Sequence, residues 1–452
     1  SEMCIRDRDK TRRLMDLKET LLSSYLAFDA QDGPQHKLQD QRAAAIEVFE
    51  QQGFPTKKEE DWKYTPLRNL IKTNYTVFPK EEVSLKLDEV KEYILQDVDT
   101  YKIVFVDGIY NAYLSETTHV GVDVCLLSAA LTKPKYAAII KKYFNQIAAK
   151  DASLTALNTA FTKEGAYIHV PDGKLVEKPV QIIHFTTDKN PSLLLQPRNL
   201  IVVEKNAEIQ IVERHQSLTT NESFTNVVTE IFTEQNAQLD YYKIQNDQTT
   251  ASLIDSTYIS QRKHSHAKVH TFSFGGKLTR NNLNFYHKDP EINSTMKGIT
   301  LIEGSQFVDH HTLVHHAQPN SESHQDYKGI FAEKSTGVFN GKIIVEKEAQ
   351  KTNAFQQNNN ILMDDKASIN TKPQLEIFAD DVKCSHGCTI GQLDEDALFY
   401  MQTRGIPTKE ARGLLTYAFA SNVLQSVKID SVKKRINKLI AEKLGVNIGF
   451  DV

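Results

Sequence analysis

The sequence predicts a mainly β chain built around a parallel β-helix, with a helical and mixed α/β region before it and a small helical domain after it. Three observations carry this. From residue 166 to about 393 the texture is one of short alternating or apolar runs with little helical periodicity. Within it a polar residue, an alanine, any residue and an apolar one recur as Asn206-Ala207-Glu208-Ile209, Asn236-Ala237-Gln238-Leu239 and His266-Ala267-Lys268-Val269, in steps of 30 residues. Helical patterns are confined to the two ends. A period of this size in a strand-rich region marks stacked coils that bury their apolar faces on one another. A sandwich of hairpins with accidental spacing is the alternative.

The opening residues 1–8 do not begin with methionine and are read as foreign to the fold, so Cys4 is set aside. From Leu38 to Gln51, Leu38, Ala45, Val48 and Phe49 fall on one helical stripe with Ile46 at its edge, and Gly53-Phe54-Pro55 stops the helix. The run from Thr56 to Leu67 places the single tryptophan, Trp62, in a charge cluster, which reads as an aromatic anchor for a solvated helix face. Ile103 to Val106 is a short strand ended by Asp107-Gly108. Apolar residues at helical spacing between Tyr136 and Phe161 close this first region, residues 1–165.

The solenoid, residues 166–393, opens with strands at Val180–Phe185, Leu200–Val203, Ile209–Val212 and Val227–Phe232. Looser corners follow at Ser305-Gln306-Phe307, Gly337-Val338-Phe339 and Ala367-Ser368-Ile369. Residues 394–452 return to helix. One ends at Arg404-Gly405, a second opens at Pro407-Thr408, and a third starts near Asp430 or Ser431 with Val432, Ile436, Leu439 and Ile440 on one face, leaving Lys433, Lys434, Arg435 and Lys438 mostly to water.

The 452 residues carry 54 basic and 58 acidic side chains, a net charge of -4, which lacks the positive field that phosphate-backbone binding needs. Nucleic acid is not expected as a partner. No apolar run approaches the ~18 residues of a membrane span, and no secretory core opens the chain; a cytoplasmic protein without membrane contact is expected. Four cysteines, at 4, 125, 384 and 388, are too few and too scattered for a disulfide framework. The phosphate loop of ATPases, the dinucleotide glycine fingerprint, the serine-hydrolase elbow and the zinc-protease helix are all missing.

Two clusters have chemical potential. Histidines crowd from His264 to His324, including Asp309-His310-His311-Thr312-Leu313-Val314-His315-His316. On a strand His311 and His315 share one face while His310 and His316 take the other. That spacing does not converge on one ion, and polar ladders on the solenoid surface are the expectation. The second cluster, Lys383-Cys384-Ser385-His386-Gly387-Cys388, brings two thiols and an imidazole together. It is incomplete as a zinc site, yet thiolates and imidazole suit transient iron or sulfur handling, and Lys383 could lower a thiol pKa. Small packed residues at the end of the solenoid are the competing reading. A carbohydrate-active β-helix enzyme would need acid pairs such as Asp364-Asp365 or Asp380-Asp381, but neighbours on a strand face opposite sides.

The runs Asn359-Asn360-Ile361-Leu362-Met363 and Thr371 to Gly387, with Phe399-Tyr400-Met401, Arg404-Gly405-Ile406, Tyr417-Ala418-Phe419-Ala420 and Glu60 to Leu67, resemble the SufB/SufD family of the SUF iron-sulfur cluster assembly system, on its SufD side. The resemblance implies a right-handed β-helix, and a scaffold subunit rather than an enzyme. It further implies pairing with a SufB-like paralogue and binding to a SufC-like ABC-type ATPase, which would supply the missing phosphate loop. His386 would lie at the paralogue interface and take part in assembling a transient iron-sulfur cluster, as a transient metal ligand, with Cys384 and Cys388 beside it. The helices carrying Arg404, Gly405, Ile406, Tyr417 and Phe419 would dock the ATPase. No stably bound cofactor is expected in the isolated chain; the residues do not decide whether a reduced flavin joins the complex, and without its partners the chain is a candidate homodimer. A purely architectural subunit, with these thiols and His386 chemically silent, is the alternative.

Overall fold

The computed structural model describes residues 16–32, 38–79, 82–118 and 121–446. The opening residues and Cys4 lie outside them. Two long sheets run side by side and the chain alternates between them. In the first, Ile109–Tyr110, Tyr101–Val106, Val180–Thr186, Glu208–Ser217, Gln238–Gln245, His266–Ser273, Asn293–Ile302, Glu322–Phe331, Asn353–Leu362 and Lys383–Gly391 lie in that order. The second runs Asp123–Leu126, Ala166–Val170, Arg198–Val203, Ser223–Thr233, Ala251–Gln261, Leu278–His287, Phe307–His316, Thr336–Val345 and Ser368–Ile377. Neighbours are parallel except at the start, where Ile109–Tyr110 and Asp123–Leu126 turn back antiparallel. The chain is a parallel β-solenoid whose first strands precede residue 166.

Inward residues alternate with outward ones, as strand geometry demands. Ile182, Ile211, Tyr241, Val269, Met296, Tyr327, Val314 and Phe339 fill the interior between the sheets. The outward faces are covered where they are apolar. Val212, Tyr242, Ile244, Phe272, Ile299 and Ile330 of the first sheet pack against the helices Thr408–Leu424 and Asp430–Leu444 through Val423, Val432, Ile436 and Ile440. On the second sheet Phe224, Ile254 and Leu278 meet the helices Leu17–Asp32, Gln39–Gln52 and Ser153–Ala160.

The stacking register corrects the repeat. Glu208 pairs with Gln238, Gln238 with His266, His266 with Asn293 and Asn293 with Glu322, so coil length varies. Ala267 lies on Leu239, and it is Ser265 that occupies the corner place of Ala237. The left-handed corner residue passes from Asn206 to Asn236 to His264; asparagine tolerates that conformation because its short amide bonds locally. The later corners belong to the opposite edge. Phe307, Thr336 and Ser368 stack there, and Gly337-Val338-Phe339 lies within a strand.

Three further expectations change. Glu60–Trp62 forms a single 3-10 turn with no solvated helix behind it. Trp62 instead lies under the Arg280 guanidinium at 3.8 Å, and Arg280 also donates to the Asp61 carbonyl, Thr65 and Asp309, clamping this segment to the second sheet. Burial opposes charge on Asp309, but Arg280 and His311 hold its carboxyl below the usual range. Arg435 is not left to water: it donates to the carbonyls of Glu92 and Ile94. Finally, much of the histidine ladder is internal. His287 and His316 meet at 3.1 Å between their Nδ1 atoms, and each places Nε2 on a serine, Ser294 or Ser323. His310 sits between Asn281 and Thr300. His270 faces the C-terminal helices, with Nε2 2.8 Å from Ser426 Oγ. These residues occupy buried strand positions, and apart from His270 Nδ1 their ring nitrogens find partners inside the protein.

One buried ion pair joins the N-terminal region to the solenoid. Arg198 donates to Glu230 Oε2 at 2.7 Å, both side chains wholly buried. The carboxylate also accepts the backbone N–H groups of Asn145, Gln146, Ile147 and Ala148.

Candidate functional site

Among the described residues Lys383–Gly391 ends the first sheet and Ser368–Ile377 ends the second, so no described strand pairs with the outer edge of the last coil. Ala354 pairs with Cys384, Gln356 with His386 and Asn358 with Cys388. In the underlying strand Ala354, Gln356, Asn358 and Asn360 are the buried, inward residues. Cys384, His386 and Cys388 therefore all point along the inner face, above the mouth of the solenoid.

The floor beneath them is polar. Gln356 donates to Gln325, Asn360 donates to Asn358 at 2.7 Å, and Asn360 also reaches the Thr389 carbonyl. Ile377, Phe378 and Ile390 are exposed around this mouth, an apolar rim of the kind found at interaction sites.

The three predicted residues differ in surroundings. Cys384 is half-buried against Ile343, Val345, Ala354 and Ala379. Burial pushes its thiol up from the ordinary value, with a weaker opposing contribution from the Ala354 backbone; Lys383, on the other face of the strand, does not lower it. Cys388 and His386 are exposed. Successive inward residues on a strand are about 6.6 Å apart, whereas metal–ligand bonds are about 2.0–2.3 Å. The three do not close around one ion, and further ligands would have to come from a surface facing the mouth.

The ATPase-docking candidates divide. Asp394 caps the helix Glu395–Thr403 by accepting from Asp396 and Ala397, and Arg404, Gly405 and Ile406 follow it with Gly405 at φ +83°. Arg404 is exposed beside Tyr400. Tyr417 and Phe419 are half-buried: Tyr417 bonds Asn437, and the Lys328 ammonium lies over the Phe419 ring and donates to its carbonyl. They hold their helix to the solenoid. The large exposed side chains here are Phe399, 68% exposed, and Tyr400, 58% exposed, with the Arg404 guanidinium over the Tyr400 ring. The acid pairs Asp364-Asp365 and Asp380-Asp381 lie in corner turns, where Asp364 accepts from the Glu333 backbone.

Among the described residues, one group of three possible metal ligands is within mutual reach, and sequence reasoning missed it: His184, Glu213 and His215, inside the first coils. The available signal was spacing, because His184 and His215 are cross-strand partners one coil apart.

An open-ended parallel β-solenoid with helical flanks and a thiol–imidazole terminal strand is the class of protein this fold and site define, and family models match it. Residues 184–419 match the SufBD core domain of SUF-system iron-sulfur cluster assembly, and residues 27–182 match the SufBD protein N-terminal region. The chain belongs to the SufBD family. It is 31% identical over 412 residues to an iron-sulfur cluster assembly SufBD family protein of Synechocystis, covering 89% of this chain and 90% of that one. It is 29% identical over 395 residues to the iron-sulfur cluster assembly protein SufD of Escherichia coli, covering 87% and 90%. The corresponding SufD of Bacillus subtilis is 27% identical over 423 residues, covering 90% and 94%.

Proposed function

We propose that this chain is the SufD-type, non-ATPase subunit of an iron-sulfur cluster assembly complex in the cytoplasm, and that its open end pairs with the matching end of a SufB-like paralogue. The observation that carries this reading is the terminal strand Lys383–Gly391, unpaired on one side, rimmed by Ile377, Phe378 and Ile390 and bearing Cys384, His386 and Cys388 toward the mouth. A second solenoid docking there satisfies the edge and covers the apolar rim. The iron and sulfide of the nascent cluster are cargo. His386 and Cys388 present ligand atoms to them, the paralogue supplies the remainder, and half-buried Cys384 packs the strand in place.

The helix Glu395–Thr403, with Phe399, Tyr400 and Arg404, docks a SufC-like ATPase. Nucleotide-driven closure of that ATPase then strains the paired ends, a switch that requires different contacts in the two states. The experiment is native mass spectrometry of this chain co-expressed with SufB-like and SufC-like proteins from the same source, followed by cluster formation in the complex carrying His386→Ala. The reading predicts an assembled complex that fails to build clusters. Absence of any association removes the partnership, and full cluster assembly by the assembled variant leaves the chain purely architectural.

A further inference from the structure

We propose that His184, Glu213 and His215 form a binding site for one divalent first-row transition cation of the Fe(II) or Zn(II) type, inside the first coils of the solenoid and apart from the open end. The three side chains come from adjacent strands, Val180–Thr186 and Glu208–Ser217, and project inward. Glu213 is wholly buried and the two histidines nearly so. Glu213 Oε1 lies 3.7 Å from His184 Nε2 and 3.6 Å from His215 Nε2, and all three ligand atoms fall within 4.8 Å of one another. With bonds of about 2.1 Å, the ligands of a tetrahedral ion are separated by about 3.4 Å. The two carboxylate–imidazole edges are close to that already. The imidazole–imidazole edge is longer, because the rings stack face to face at 4.6 Å, and tilting each toward Glu213 shortens it.

Two further observations point to a ligand. His184 Nε2 and His215 Nε2 are both buried without a hydrogen-bond partner, a costly state that a shared cation relieves. The carboxylate, meanwhile, is held by its other oxygen: Tyr241 donates to Oε2 at 2.5 Å, and the Lys243 ammonium is 3.5 Å from it, anchored by Asp255 at 2.6 Å. Oε1 receives only a long 3.4 Å contact from Asn199 and faces the imidazoles. Outer groups that orient a ligating carboxylate in this way are the usual support of a metal site. Two imidazoles and one carboxylate suit Fe(II) and Zn(II) over calcium or magnesium, which prefer all-oxygen sets. His184 also borders a cavity of about 380 Å³ that Asp107 and Glu164 share.

The test is titration of the full chain, stripped of metal, with Co(II) as a spectroscopic probe, with Zn(II), and anaerobically with Fe(II). One equivalent is expected to bind. His184→Gln and His215→Gln, chosen because they keep a polar side chain in the stack, should each abolish it while circular dichroism and melting temperature report an intact fold. Tyr241→Phe should weaken affinity by about tenfold or more through the loosened carboxylate. No binding by the parent chain, binding unchanged in both glutamine variants, or binding that disappears only with His386→Ala would overturn the assignment.

Discussion

Glu230 gathers four backbone N–H groups and the Arg198 guanidinium at a place water does not reach, so Glu230→Gln leaves Arg198 without its counter-charge. Breaking a buried pair from one side costs about 3–5 kcal/mol; urea unfolding should show that loss, and a change below about 1 kcal/mol would contradict it. Burial holds the pKa of His310 down to about 4, and those of His270 and His316 down to about 3. Lysines 268 and 297 add to this at His270, and His315 at His316, while Asp309 opposes it at His310. Each stays neutral in the fold and takes up a proton on unfolding below pH about 6.5. Stability is therefore complete above that pH and falls as pH drops toward 4 and 3, by about 1.4 kcal/mol per pH unit per histidine. Denaturation curves across this window should show a shallower slope for His316→Gln. None of these roles was legible in the sequence. Alternation assigns a face to His310 or Glu230, but partners such as Arg198 and Ser323 are set by coil register, which the motif spacing did not fix. The cluster of Cys384, His386 and Cys388 was legible as two thiols and an imidazole close in sequence, but its placement on one inner strand face comes from the coil register.

Among the elements, the corner before Ala166–Val170 tolerates no side chain. A Cβ on Gly165 would lie 1.8 Å from the Arg198 carbonyl oxygen, and that oxygen is backbone. Gly165→Ala should cost about 3 kcal/mol, the upper range for overpacking, with thermal melting as the measure. The terminal strand is the opposite case, because a Cβ on Gly387 or Gly391 meets nothing within 4 Å. Ile390, 49% exposed on the same strand, should accept Ile390→Asp with stability changed by less than about 0.5 kcal/mol, while co-purification with the paralogue is lost; an undiminished complex would move the interface elsewhere. Helix ends were readable from Gly53, Asp394 and Gly405 because capping is local chemistry. The coil corners were half readable. Asn206 and Asn236 announce the left-handed residue, but His264 takes the same conformation without an asparagine, so the third copy was placed two residues late.

For the whole molecule, alternation and period sufficed to identify a solenoid between helical ends. They could not show that the first sheet's outer face is apolar to receive the C-terminal helices, because a strand buried on both sides looks the same whatever covers it. Stability in a stack of coils is a sum of neighbour contacts. Amide hydrogen exchange should therefore be slowest near Ser223–Thr233 and Ala251–Gln261, fastest in Lys383–Gly391, and selectively slowed there by the paralogue; uniform protection along the stack would contradict this. The antiparallel strands Ile109–Tyr110 and Asp123–Leu126 close the opposite end. A stack with two adhesive ends would polymerise into a filament, whereas one sealed by its own reversed strands has a valence of one. Under the proposed pairing, whatever solenoid joins the open end, copy or paralogue, exhausts that valence, and growth stops at a pair.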